Sequence, residues 1–410
     1  MGGAPRQDGG VFGDRPWRAA VVLLPVLSVS CGGSGSTPSA VTSKKPPPVH
    51  IDSRALETRL RQLVREAGAP GAIAGVVVRG GTPTIVATGT DPHTKAALTT
   101  SDSFRIASVT KTFVGALALR LVQQGKLSLD DPVSTYDPSW PRGDEITIRM
   151  LLSHTSGLAP WGGDRGSQGP YSDAADSFEL AHYGKQVPPE EVLAVASGRP
   201  LLFEPGSATS YSNINTILLG HIISTITGRT LGTELHRELL DPLKLTGTRY
   251  AAEESASPIA GLSDLSGPGS KLDTGPVDWT GSTSIGGAAA AMVSTIGDLL
   301  TWGDAFLRRR AAVKDPLGTE ALRIAPGGTG LGVIGFTSDG YFCVFGDDGC
   351  PKDATFVAVG GSGVFSGART ILAFDPTLDA IVAVVVNRDG TPGLEGFVRD
   401  AFTMVDSAER

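Results

Sequence analysis

No apolar run of about 20 residues occurs in this 410-residue chain, so no ordinary transmembrane helix is expected. Basic clusters are missing beyond Arg308-Arg309-Arg310, and the net charge is −7. That balance argues against nucleic acid as a main partner. Cysteine is scarce, with Cys31 alone near the N-terminus and Cys343 and Cys350 seven residues apart. No Cys/His cluster has ligand spacing, so neither a metal nor another cofactor is expected. Glycine and proline are plentiful, at 54 and 28, and gather in the connections. With 40% hydrophobic residues the chain can bury a sizeable core.

Residues 1–31 have the make-up of an export signal. Arg15 and Arg18 give a positive start, Ala19 to Leu27 an apolar stretch, and Ser28-Val29-Ser30 a small-residue site. Cys31, followed by Gly-Gly-Ser-Gly-Ser, resembles the lipidated cysteine of a bacterial lipoprotein. Leu27 stands four residues before it, where a typical lipobox has leucine three before, and a plain secretory signal is the other reading. Either way the protein is expected outside the cytoplasm. The lipoprotein reading places it on the cell membrane, facing the periplasm or cell-wall space. Residues 32–49 read as a Gly/Ser/Pro tether, flexible first and stiffened at its end by proline. Export favours a Cys343–Cys350 bridge across the Gly-Asp-Asp-Gly turn, with two free thiols as the alternative.

The folded part is expected over 50–410. Asp52 or Ser53 can cap a helix carrying Leu56, Leu60, Leu63 and Val64 on one face, stopped at Gly68 and Pro70. Ala72–Val78 and Thr84–Thr88 flank a turn and read as a hairpin. A mostly helical region follows, about 115–325. It includes a helix from Ile146, a long polar loop at 159–187, a helix over Ile214–Thr227, one over Leu231–Leu245 broken at Asp241-Pro242, and one over Ala288–Leu307. Strands are expected at 331–337, 340–345, 354–360, 370–374 and 380–387, with a last helix near 393–405. The order predicts an α+β fold. One antiparallel sheet is built from both chain ends, flanked by helices, with a helical region inserted.

The chemistry begins at Phe104-Arg-Ile-Ala-Ser108-Val-Thr-Lys111, which reads as a helix opening on a nucleophile. Residues three apart on a helix share a face, with Cβ atoms about 5–6 Å apart. A serine hydroxyl is a poor nucleophile until a neighbour takes its proton, and a desolvated lysine is one candidate. Alone, such a pair is far more often an ordinary feature of an amphipathic helix.

Further stretches change that balance. They are Leu-Leu-Ser-His-Thr-Ser-Gly-Leu158, Phe-Glu-Pro-Gly206, Tyr211-Ser-Asn213, Asp-Pro-Leu-Lys-Leu-Thr246, Asp375-Pro376 and Val385-Val-Asn-Arg-Asp-Gly390. With Ser108-x-x-Lys111 they resemble, over about 55–405, the serine β-lactamase and penicillin-binding-protein superfamily, in its class C-like branch of D,D-peptidases and esterases. The resemblance implies that Ser108 is acylated, that Lys111 is proton acceptor or electrostatic partner, and that Tyr211 is, or shares, the general base. A phenol of ordinary pKa about 10 serves near neutrality only with an ammonium beside it. Asn213 would hydrogen-bond the substrate amide. The backbone N–H groups of Ser108 and Val364 would form the oxyanion hole.

The third motif departs from the family pattern. Lysine or histidine is usual there, whereas this chain reads Gly361-Ser362-Gly363. Ser362 and Gly363 match and would line the substrate, but the basic group is missing. His154 lies in a stretch that reads as structural, and no Gly-x-Ser-x-Gly elbow of an α/β-hydrolase occurs. The expectation is therefore an exported serine hydrolase that works through an acyl-serine on an ester or amide. D,D-carboxypeptidase-like or esterase-like activity ranks above β-lactamase activity, and β-lactam binding stays open. The substrate would be a small molecule or peptide. The alternative, prompted by Gly361, is a non-catalytic envelope lipoprotein that binds cell-wall peptide, lipid or a protein.

Overall fold

The first folded element starts where its cap is. Asp52 accepts a hydrogen bond from Arg54 N–H at 2.9 Å and opens helix α1 (Ser53–Ala67). Gly68 closes it in the left-handed conformation, φ 57°. Leu56, Leu60 and Leu63 are fully buried along one stripe. The structure, a computed structural model, describes residues 49, 51–161, 178, 182, 187–263, 272–273, 286–338, 350–351, 353–365 and 367–409. These fall in one unit, Pro47–Arg410. The expected export signal, most of the tether, the strand at 340–345 and Cys343 with its bridge lie outside the described residues.

Six strands form an antiparallel sheet: β1 (Gly71–Val78), β2 (Thr84–Gly89), β3 (Ile334–Thr337), β4 (Phe356–Phe365), β5 (Ala368–Asp375) and β6 (Ala380–Val386). Their order is β2-β1-β6-β5-β4-β3, so the first hairpin joins the last strands, with Ala74 opposite Val384. The α+β expectation of a sheet built from both chain ends is met. Both faces are buried. Ala72, Ala74, Val76, Val382 and Val384 meet α1 and the last helix, α5 (Leu394–Glu409). Ile73, Val77, Ala383 and Val385 join the larger core built with the central helices. That explains why β1 and β6 read as continuous apolar runs rather than alternating ones.

The described central helices include α2 (Thr110–Gln123), α3 (Asn213–Thr227) and α4 (Ile296–Gly303). Three expectations are corrected here. Ala288–Leu307 is not one helix, because Met292–Ser294 is a strand pairing with Phe104–Arg105 and with Arg249–Tyr250. Pairing from distant segments overrides local helical spacing. Nor does Asp241-Pro242 break its helix. Helical backbone continues from Leu231 through a wider turn at His236–Leu240 to Leu243, and Lys244, with a left-handed backbone, ends it. The strand expected at 354–360 also runs on to Phe365, straight through Gly360-Gly361-Ser362-Gly363.

Trp302 of α4 braces α2 from below. It is fully buried, stacks on Phe113 at 4.1 Å and on Phe306 at 5.2 Å, and donates its indole N–H to Thr112 Oγ1 at 2.9 Å. Trp302→Ala is expected to cost roughly 3–5 kcal/mol of stability, as for other large aromatic truncations. Thermal denaturation beside wild type checks this, and an unchanged midpoint would remove the brace from the account. Among the described residues no helix is long and apolar enough to cross a membrane.

Candidate active site

Ser108 does not sit on the helix itself. The strand Phe104–Arg105 ends as Ile106 N–H donates to Met292 O at 3.0 Å. Ala107 then takes a left-handed backbone, φ 45°, which an alanine adopts only under constraint. A single tight turn, Ala107–Val109, follows, and α2 begins at Thr110. The expected helix from Phe104 therefore starts six residues later. The turn still leaves Ser108 and Lys111 on one side.

Lys111 is 6% exposed, so its charged end needs partners. It donates to Ser108 Oγ at 3.0 Å, Asn213 Oδ1 at 2.7 Å and Ala289 O at 3.0 Å. Three acceptors match the three N–H groups of an ammonium. The same nitrogen lies 4.8 Å from the centre of the Tyr211 ring. Asn213 is held at its other end, where Nδ2 donates to Trp161 O at 2.8 Å. Its expected substrate contact thus comes with two anchors inside the protein. Ser212 caps α3, accepting from Ile214 N–H and donating to Ala159 O at 2.8 Å, and so fixes its neighbours Tyr211 and Asn213.

Strand β4 forms the opposite wall. Any Cβ at Gly363 would lie 2.4 Å from Ile106 O and 2.6 Å from Ser108 N. Only glycine lets the strand come this close to the turn carrying Ser108. At Gly361 a Cβ would meet Thr112 Cγ2 at 3.1 Å, so a larger residue there asks Thr112 to give by only a few tenths of an ångström. Ser362 is 7% exposed and Val364 53% exposed. A small cleft opens between these walls, lined by Ser108, Lys111, His154, Tyr211, Val333 and Gly361 among others.

His154 is buried in this wall. Burial first, and then the Lys111 charge, push its imidazole down to about 3, so it is neutral at working pH. The structure brings Ser108, Lys111, Tyr211, Gly361 and Ser362 around one space, with Asn213 joined to it through Lys111 and Gly363 directly behind Ser108. Sequence reasoning missed the carbonyls of Ala289 and Trp161, which are backbone groups and carry no residue signature. It also missed the wall at Gly332–Ile334.

Comparison with known proteins agrees with this fold. Residues 56–401 match the family described as Beta-lactamase. Esterase EstB of Burkholderia gladioli is 35% identical over 158 residues, 37% of this chain and 39% of that protein. Protein flp of Staphylococcus aureus (strain MRSA252) is 31% identical over 172 residues, 41% of this chain and 31% of that protein. The chain thus spans about a third of the length of these curated relatives. A D-stereospecific amidohydrolase from Streptomyces sp. superposes with a TM-score of 0.68 at 28% identity, covering 87% of this chain and 98% of that one. Since the family match runs from the first helix to the last and takes in both walls of the cavity, this chain belongs to the Beta-lactamase family.

Proposed function

We propose that Ser108 attacks the carbonyl of an ester or amide whose departing side carries no free carboxylate, and that water then releases the acyl group. The observation that carries this is Ser108 Oγ held 3.0 Å from Lys111 Nζ, beside a strand with glycine at 361. Lys111 already donates to three acceptors, so it acts as the electrostatic partner. It steadies the oxygen of Ser108 and favours a phenolate on Tyr211, which takes the serine proton. The backbone N–H groups of Ser108 and Val364 receive the oxyanion, a contribution of about 3–4 kcal/mol per donor in comparable sites.

Gly361 removes the basic group that would pair with a substrate carboxylate. That supports an esterase- or amidase-like preference over D,D-carboxypeptidase or β-lactam chemistry. The likeness to an esterase and to a D-stereospecific amidohydrolase supports the same preference. We further propose that the domain works outside the cytoplasm, tethered through residues 32–49 to a lipidated Cys31, with Cys343 bridged to Cys350. The composition of residues 1–49 supports this.

Intact-protein mass spectrometry of the full chain tests the proposal. One sample is treated with a fluorophosphonate and another with a penicillin, each beside Ser108→Ala. The expected result is an adduct with the fluorophosphonate, lost in the variant, and little or none with penicillin. Adducts with both reagents would restore carboxylate recognition to the site. No adduct with either would overturn the acyl-serine reading.

A further inference from the structure

His154 enters the cavity from a segment that reads as structural. It follows the short helix Ile148–Leu152 and holds a left-handed backbone, φ 55°, which turns the chain sharply toward Tyr211. Its carbonyl accepts from Ser210 N–H at 3.0 Å, tying it to the segment that leads into Tyr211. Nδ1 faces Ser212 N–H at 3.3 Å and Asn215 Nδ2 at 3.1 Å. A backbone N–H only donates, so Nδ1 accepts and the proton sits on Nε2. The Asn215 amide is oriented in turn by Ser156, whose hydroxyl donates to Asn215 Oδ1 at 2.5 Å. The imidazole so fixed stacks on the Tyr211 ring, with centres 4.6 Å apart and planes at 24°. Lys111 lies 4.8 Å from the centre of the same ring.

We infer that His154 is a positioning residue for Tyr211: a neutral imidazole, locked by Ser212 and Asn215, that packs on the phenol and holds its oxygen in the nucleophile's reach. The inference rests on Tyr211 acting as the proton acceptor. It gives His154 a task beyond filling space. The titratable side chains facing it are Lys111 and Tyr211, while Ser212 and Asn215 are uncharged. A proton on His154 would put a second cation beside Lys111, and its burial opposes this. The site therefore keeps one ammonium, aimed at the serine, and a ring that holds Tyr211 without competing for its proton.

Two substitutions separate the two contacts. His154→Asn tolerates the left-handed backbone and offers an acceptor to Ser212 but has no stacking face. His154→Phe keeps a face and loses the acceptor. Hydrolysis of a short-chain p-nitrophenyl ester should show kcat down about 10–100-fold in both, with KM within about twofold, as for a misplaced catalytic group. In a Tyr211→Phe background the His154→Asn change should add less than about twofold, because it acts through the missing hydroxyl. Full additivity, or an unchanged kcat in the single variants, overturns the inference. Should the variants fail to fold, ¹⁵N NMR of the wild-type imidazole decides. A bare Nδ1 and a protonated Nε2 from pH 5 to 8 are expected, and a protonated Nδ1 overturns the lock. Fluorophosphonate labelling of Ser108 in the same wild-type sample reports separately on the acyl-serine reading.

Discussion

Replacing Ser108 with alanine should lower ester turnover by about 10⁴–10⁶-fold, the scale on which other acyl-serine enzymes lose kcat with their nucleophile. The fold should survive. Lys111 keeps Asn213 Oδ1 and Ala289 O as acceptors, so the variant loses one hydrogen bond from a charged donor, worth about 1.5–3 kcal/mol. Ala107 and Val109 on either side stay fully buried. Steady-state kinetics with a chromogenic ester, set beside a thermal melt, measures both. An inactive variant that melts close to wild type is the expected outcome. A variant that turns over ester at the wild-type rate would move the reaction to another nucleophile.

The second large effect is expected at Gly363, which never touches the proton chemistry. A methyl group there would stand 2.4 Å from Ile106 O, 2.6 Å from Ser108 N and 2.8 Å from Ala107 Cβ. None of these is the far end of a flexible side chain. Ala107 already holds a left-handed backbone, so the turn has little freedom to give. Either strand β4 or the nucleophile turn must shift, and both carry proposed oxyanion donors. Gly363→Ala should cut kcat by about 100-fold or more, the effect of losing one oxyanion donor. Overpacking should add a stability cost of about 1–3 kcal/mol. Gly361→Ala is the control. Its Cβ meets a side-chain methyl, Thr112 Cγ2, at 3.1 Å, so the loss should be much smaller. Wild-type kcat in Gly363→Ala would show that the close approach of strand and turn is not used in catalysis.

These two positions also show how far the sequence can be read. Ser108 and Lys111 were legible because three-residue spacing survives the exchange of a helix for a tight turn followed by a helix. Tyr211 and Asn213 were legible only because Tyr211-Ser-Asn213 resembles a family motif; the structure adds that the serine between them caps a helix. The first hairpin, the last strands and the terminal helix were legible from apolar runs bounded by turn residues. By contrast, Gly360-Gly361-Ser362-Gly363 has the composition of a turn and lies within a ten-residue strand. Its pairing with β5, Thr370 opposite Gly363, supplies the extended conformation that local preference does not. Likewise the strand Met292–Ser294 is set by partners at Phe104–Arg105 and Arg249–Tyr250, far away in the chain.

What the sequence determined by itself is the family, through short motifs such as Ser108-x-x-Lys111 and Tyr211-Ser-Asn213 whose spacing encodes contacts made within one turn of chain. What only the tertiary structure decided is their state and aim. Lys111 is saturated by acceptors that include a carbonyl 178 residues away. Ala107 is held in a left-handed turn, and His154 is locked beneath Tyr211 by the cap of another helix. Such contacts join backbone atoms of distant elements, and a backbone N–H or C=O is the same at nearly every position. No residue letter records which one will be used; packing of the sheet against the central helices chooses it.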